Sequence, residues 1–257
     1  MPQAKSLFRS FFEWFGELGI FAGRVARTAF VPPWEGRELL AQLDEIGSRS
    51  FPLVALAGAA TGVVLSLQIR DSLTRFGGKA LLPAVIVFSL MKETGPMITA
   101  LVVSGRVGAG IAAQLGSMRV TEQIDAMEVS AVNPYKYLAA TRVFACTAML
   151  PLLTLAANFC GIIFGWIAAT LVEPVSLRLF VHDGFKDATF SDFLPPLFKT
   201  AVFGLIIGLI ASFQGMRTRG GTEGVGRSTT GSVVLCSLFV ILADVVMVRL
   251  ILVFFTG

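Results

Sequence analysis

The chain has 257 residues, of which 54% are hydrophobic and only 15% charged, and its mean hydropathy is +0.76. A soluble domain with that balance would not stay in solution, so the composition predicts an integral membrane protein. The net charge of +4 is not a nucleic-acid signal: the basic residues gather between apolar runs, with no stripe of interleaved aromatics, and read as topology signals.

In chain order, residues 7–29 place Phe8, Phe11, Phe12, Phe15, Leu18, Ala22 and Val25 on one helical face and Arg9, Glu13, Glu17, Arg24 and Arg27 on the other. That pattern predicts an amphipathic helix lying in the membrane interface. Glu13 and Glu17 interrupt any secretory-signal core, so the segment is expected to be retained. Val31-Pro-Pro-Trp34 breaks this helix, and a charged piece from Glu35 to Arg49 completes an interfacial elbow and linker over residues 1–50.

Apolar runs follow at about residues 51–69, 81–104, 138–172, 193–213 and 232–256. A span needs ~20 residues, so four of them cross the bilayer once. The third would rise ~52 Å as a helix, too long for one crossing and too short for two with a turn. We read it as one helix, kinked near Pro151. The fold expected is all-α, an interfacial helix plus five transmembrane helices in a single domain over residues 1–257. Thirteen Lys/Arg flank one side of these spans and six the other, which puts the N-terminus in the cytoplasm and the C-terminus in the periplasm. Three spans carry GxxxG, at Gly58/Gly62, Gly161/Gly165 and Gly204/Gly208, candidates for close helix contacts.

Chemistry is bounded by what the chain lacks. There is no Walker A pattern, the nearest approach to GxSxG lacks its last glycine, and His182 is the only histidine. No catalytic residue or metal site is expected, and Cys146, Cys160 and Cys236 read as small buried hydrophobes. Lys92 and Glu93 fall near the middle of the second run and Asp244 near the middle of the fifth. Charges at that depth cost at least ~2.5–3.5 kcal/mol unless they face protein or water. Lys92 and Asp244 are candidates for a structural pair; Lys92 and Glu93, with Gln68 as a weaker third, are candidates for lining a wet cavity that takes a polar head group. An ion-coupled secondary transporter using Lys92, Glu93 and Asp244 is the alternative, and an intramembrane enzyme is disfavoured.

The longest polar-bearing block is 105–137. Val107 to Leu115 is small and apolar but too short to span, and is expected to pack at the cytoplasmic surface. Thr121 to Glu128 reads as an acidic helix stopped by Asn133-Pro134.

Met91-Lys-Glu-Thr-Gly-Pro96, Ser104-Gly-Arg-Val-Gly-Ala-Gly-Ile-Ala-Ala113, Met118-Arg-Val-Thr-Glu-Gln-Ile-Asp-Ala-Met-Glu128, Asn133-Pro134 and Gly220-Gly-Thr-Glu-Gly-Val-Gly-Arg-Ser-Thr-Thr230 occur in the order that resembles the MlaE-type permeases of phospholipid ABC transporters. The chain departs from that pattern at Gln114, where an acid is usual, and at Thr141-Arg142, which replaces a common Pro-Arg. The resemblance implies a homodimeric multi-pass permease of the bacterial inner membrane. Its partners would be a cytoplasmic ATPase pair that holds the ATP and Mg, a STAS-type regulatory subunit and a hexameric periplasmic MCE lipid carrier. Its task would be phospholipid movement that maintains outer-membrane lipid asymmetry. It also implies that Thr121, Glu122, Gln123, Asp125 and Glu128 belong to the helix that couples to the ATPase, and that the lipid cavity lies at the dimer interface near Lys92 and Glu93. The chain itself is expected to carry no cofactor and no enzymatic activity.

Overall fold

The computed structural model describes residues 2–29 and 35–255; for residues 2–11, 191 and 254–255 only the backbone is described. The helices are α1 (Pro2–Ala29), α2 (Gly36–Gly47), α3 (Phe51–Arg75), α4 (Leu82–Ser89), α5 (Gly95–Val103), α6 (Ala109–Val120), α7 (Gln123–Val129), α8 (Thr141–Thr170), α9 (Leu177–Phe185), α10 (Leu194–Met216) and α11 (Gly221–Phe255). Among the described residues there is no strand. Five helical stretches are long and apolar enough to cross a membrane: Gly36–Arg75, Lys79–Val120, Tyr135–Thr170, Leu194–Met216 and Gly221–Val253.

Helix α8 is the centre of the bundle, and glycine decides how closely its neighbours approach. A Cβ on Gly58 would sit 2.3 Å from the Ala157 carbonyl oxygen, and one on Gly62 1.9 Å from that of Gly161. On the other flank, Cβ atoms on Gly204 and Gly208 would sit 2.4 Å from the Cys146 carbonyl oxygen and 2.8 Å from Val143 Cα. All three GxxxG motifs therefore mark backbone-to-backbone contacts, α3 on α8 and α10 on α8. Lipid supplies no hydrophobic drive between helices, and this close packing takes its place. Leu150, Leu153, Phe203 and Ile207 fill the core between them. The cysteines are free, with Cys146 and Cys236 buried.

Three boundaries differ from the sequence reading. The charged piece before the first span is helical, α2, and joins α3 through a short turn at 48–50. The second span does not end at Ser104: a π-helical turn, Ser104–Gly108, carries it into α6, so the small, apolar stretch Val107–Leu115 continues the span and packs between α10 and α11. Asn133-Pro134 opens the next helix instead of stopping the previous one. The Asn133 side-chain oxygen accepts the Tyr135 backbone N–H at 3.0 Å and Pro134 occupies the first helical position, where a missing N–H is harmless.

Helix α1 is held to the bundle by Val25 and Leu18 of the expected apolar face together with Phe21 and Trp14, which that face did not include. Phe21 and Val25 are buried against Ala139, Ala140, Val143 and Phe213, and Trp14 meets Phe213 edge-on at 5.7 Å. Phe12 is exposed. The Phe8 and Phe11 side chains and the break at residues 31–34 lie outside the described residues.

Candidate functional site

Two features stand apart from the apolar packing, and one continuous helical segment carries parts of both. The first is a charged cluster inside the spans. Lys199, on α10, is fully buried, and its Nζ pairs with Glu93 on one side and with Asp244 Oδ1 of α11, at 2.6 Å, on the other. The Phe203 ring lies 5.9 Å from the same ammonium. Lys92 points elsewhere: its Nζ is 2.7 Å from Asp192, in the 3₁₀ turn Phe190–Asp192 just before α10, and 5.2 Å from the Phe88 ring centre. Lys92 and the Thr189 backbone N–H together hold the Asp192 carboxyl below the ordinary carboxylate range.

The expected Lys92–Asp244 pair is thus corrected: Asp244 takes Lys199, and Lys92 takes Asp192. Lys199 falls early in the fourth apolar run and looks like a loop residue by position alone. Helix α10 already starts at Leu194, with Pro195 and Pro196 in its first turn, so Lys199 lies inside the helix. A lone buried lysine would be costly in the bilayer. Two carboxylates from two different helices offset that cost and lock α10 to α11 and to the second span. Lys92 and Glu93 keep 49% and 46% of their side-chain surface exposed, so the cluster opens on one side. Gln68 is also exposed, on α3, and takes no part in the ion-pair network.

A backbone irregularity presents these charges. Residues Leu90–Thr94 form a π turn in which the Gly95 N–H donates to the Leu90 carbonyl. Pro96 explains it. In a regular helix its ring would collide with the Lys92 carbonyl and leave that carbonyl without a donor, and the wider turn relieves both problems. Gly95 is fixed by space, since a Cβ there would lie 1.8 Å from Asn158 Oδ1 of α8. That buried oxygen has no hydrogen-bond partner among the described residues.

The second feature is α7. It is shorter than the sequence indicated: Thr121 belongs to the end of α6, its hydroxyl bonding back to the Ser117 carbonyl at 2.9 Å, and Glu122 adopts a left-handed turn conformation with φ 59°. Gln123 to Val129 is the helix. Ile124 is buried beneath it, while Thr121, Glu122, Gln123, Asp125 and Glu128 are exposed. Val129 is 89% and Val132 40% exposed, an acidic surface with an uncovered apolar tip. An Arg119–Asp125 ion pair binds α7 to the end of α6. On its other flank lies a recess of about 370 Å³ whose lining includes Glu17, Arg24, Asp125, Glu128 and Arg217, bridged by a Glu17–Arg217 ion pair and by Arg24 Nη1 donating to the Tyr135 hydroxyl at 3.2 Å.

No cluster of three or more His, Cys, Asp or Glu side chains suited to a metal occurs among the described residues. A charged knot within five apolar helices, linked by one of them to a surface helix with an uncovered tip, marks a multi-pass membrane protein. The chain belongs to the MlaE permease family, whose match covers residues 39–250. It is 33% identical over 235 residues to a probable ABC transporter permease protein of Rickettsia felis, covering 91% of each chain. To a probable ABC transporter permease protein of Synechocystis sp. it is 34% identical, over 88% of this chain and 83% of the other. The chloroplastic protein trigalactosyldiacylglycerol 1 of Arabidopsis thaliana is 32% identical over 89% of this chain and 65% of its own length.

Proposed function

We propose that this chain is the permease subunit of an ABC transporter that moves phospholipid between the bacterial inner membrane and a periplasmic MCE carrier, with ATP hydrolysed on a separate cytoplasmic subunit. The observation that carries this reading is the continuous helical segment Lys79–Val120. It holds Lys92 and Glu93 about a third of the way along and α7 at its far end, through the Arg119–Asp125 pair. Glu93 and Val120 are 27 positions apart, ~40 Å along a helix. A push on α7 therefore reaches the charged cluster along a single lever, with π turns at Leu90–Thr94 and Ser104–Gly108 as the places where it can bend.

The acidic face of α7 and its uncovered Val129 and Val132 suit a seat on an ATPase, since apolar tips of this kind are covered in an assembly. With α7 in the cytoplasm, the N-terminus is cytoplasmic, α1 lies in the inner-leaflet interface and α11 ends in the periplasm. A second copy of the chain would face the exposed Val234, Leu238, Ile241 and Val245 of α11. The half-exposed Lys92 and Glu93 would then line a cavity for the head group, whose phosphate Lys92 can reach. A glycerolipid cargo accords with the Arabidopsis relative, whose name is that of a galactolipid. The STAS-type subunit and the part in outer-membrane lipid asymmetry rest on family membership. An ion-coupled carrier is not favoured, because Lys199 already compensates Glu93 and Asp244 and leaves no uncommitted relay between them.

The test is to purify the chain with its partners, identify co-purified lipid by mass spectrometry, and follow ATP-dependent phospholipid transfer to the carrier in proteoliposomes. Bound phospholipid and transfer that needs ATP support the reading. Transfer that is indifferent to the ATPase removes it.

A further inference from the structure

A second site stands apart from the charged cluster, in a recess of about 390 Å³ between α2 and α6 whose lining includes Glu45, Ile46, Arg106, Val107, Ile111 and Gln114. That volume is within the usual range for small-ligand sites, ~300–1,000 Å³. We propose that this recess binds the phosphate of an anionic phospholipid from the leaflet on the α7 side. The proposal rests on the membrane permease reading.

The charged side chains of the lining are Arg106 and Glu45, and they are not paired with each other. Arg106 donates from Nη1 to the Ser50 hydroxyl at 2.6 Å and toward the Glu45 carbonyl at 3.5 Å, and its other N–H groups meet no acceptor among the described residues. Glu45 is the only carboxylate in the lining, and its Oε1 is taken by Arg49 at 3.1 Å. Behind the wall, Arg142 is almost wholly buried. It donates from Nη1 to the Leu138 carbonyl at 2.8 Å and from Nη2 to Gln114 Oε1 at 3.0 Å, its Nε has no partner, and no carboxylate pairs with it among the described residues. Because Gln114 Oε1 faces Arg142, its amide N–H₂ is free to serve the recess. Nearby Glu38 is already hydrogen-bonded by Gln42 at 3.0 Å and by the Tyr137 hydroxyl at 3.4 Å.

Two arginines with no carboxylate in ion-pair contact among the described residues, one of them buried with Glu38 and Glu45 acting on it only from a distance, and an amide oriented by that arginine make a seat for an anion. Ile46, Val107 and Ile111 supply an apolar floor for the glycerol and first acyl carbons, which a free phosphate would not use. The recess also lies beside the turn where α2 leads into α3. An acid at position 114 would pair with Arg142 and close the seat.

The experiment is native mass spectrometry of the purified complex titrated with phosphatidylglycerol, and separately with inorganic phosphate, for the wild type, Arg106→Gln and Gln114→Glu. Both substitutions are expected to weaken phosphatidylglycerol retention about ten-fold, the size of one charge-assisted hydrogen bond. Gln114→Glu should do so with an apparent Tm at or above the wild-type value, because the new carboxylate pairs with Arg142. Retention unchanged in Gln114→Glu overturns the proposal, as does displacement of the lipid by inorganic phosphate at equal concentration. Transport by the wild type, measured in parallel, separates failure of this site from failure of the permease reading.

Discussion

Replacing Lys199 by methionine tests the charged cluster most sharply. The substitution keeps an unbranched side chain one atom shorter and removes the ammonium that Glu93 and Asp244 share. Asp244 is 5% exposed, so its carboxylate would be left buried without a counter-charge. Breaking a buried pair on one side costs ~3–5 kcal/mol. For a chain of this size that is a fall in apparent Tm on the order of 10 °C. Glu93, half exposed, can turn toward solvent and adds little. The double variant Lys199→Met with Asp244→Asn removes both buried charges and should recover much of the lost stability, while transport stays impaired because α10 and α11 are no longer tied to the π turn beneath Glu93. The assay is thermal unfolding of the purified chain in nanodiscs, paired with phospholipid transfer by the reconstituted complex. A wild-type Tm for Lys199→Met, or strictly additive losses in the double variant, would refute the reasoning.

Gly62→Leu drives a side chain into the Gly161 carbonyl, 1.9 Å from even a Cβ, and is expected to cost at least ~1–3 kcal/mol, seen as reduced yield and Tm in detergent. Glu122→Lys and Val129→Asp alter only exposed positions of the α7 surface; both should leave Tm within ~0.5 kcal/mol equivalent yet abolish ATPase co-purification or uncouple hydrolysis from transfer, and normal transfer counts against the assigned seat. Asp192→Asn releases Lys92 and should change stability by no more than ~1 kcal/mol, as for other solvent-accessible pairs, while altering the lipid dependence of transfer. Because the folded-state pKa of Asp192 is lowered, its contribution is present above the ordinary carboxylate range and lost as pH falls through the lowered value, so a melting series should show this pair intact from pH 5 to 8 and weakened only below ~4.

The spans were legible because a stretch of ~20 apolar residues has few other uses, and the GxxxG motifs because only glycine permits helices to touch at the backbone. The boundary between span and surface was not legible at Ser104. Gly105, Gly108 and Gly110 look like loop residues, yet Gly108 lies against Cys236 and Ser232 and lets α6 continue between α10 and α11. Lys199 was hidden for a similar reason: hydropathy places a lysine near a run's edge outside the membrane, and only tertiary structure reveals Glu93 and Asp244 on either side of it. Ion partners separated by 106 positions, as Lys199 and Glu93 are, leave no local trace. The coupling surface was legible as an acidic segment, but its start was displaced by two residues because a left-handed Glu122 is uncommon for a non-glycine residue.

The central claim is that the chain moves phospholipid through a lever worked by another subunit. It is tested most directly by labelled-phospholipid transfer in proteoliposomes containing the chain with its ATPase, the chain alone, and the chain alone under a proton or sodium gradient. The account predicts transfer only in the first case and only with ATP; transfer by the chain alone under an ion gradient would contradict it.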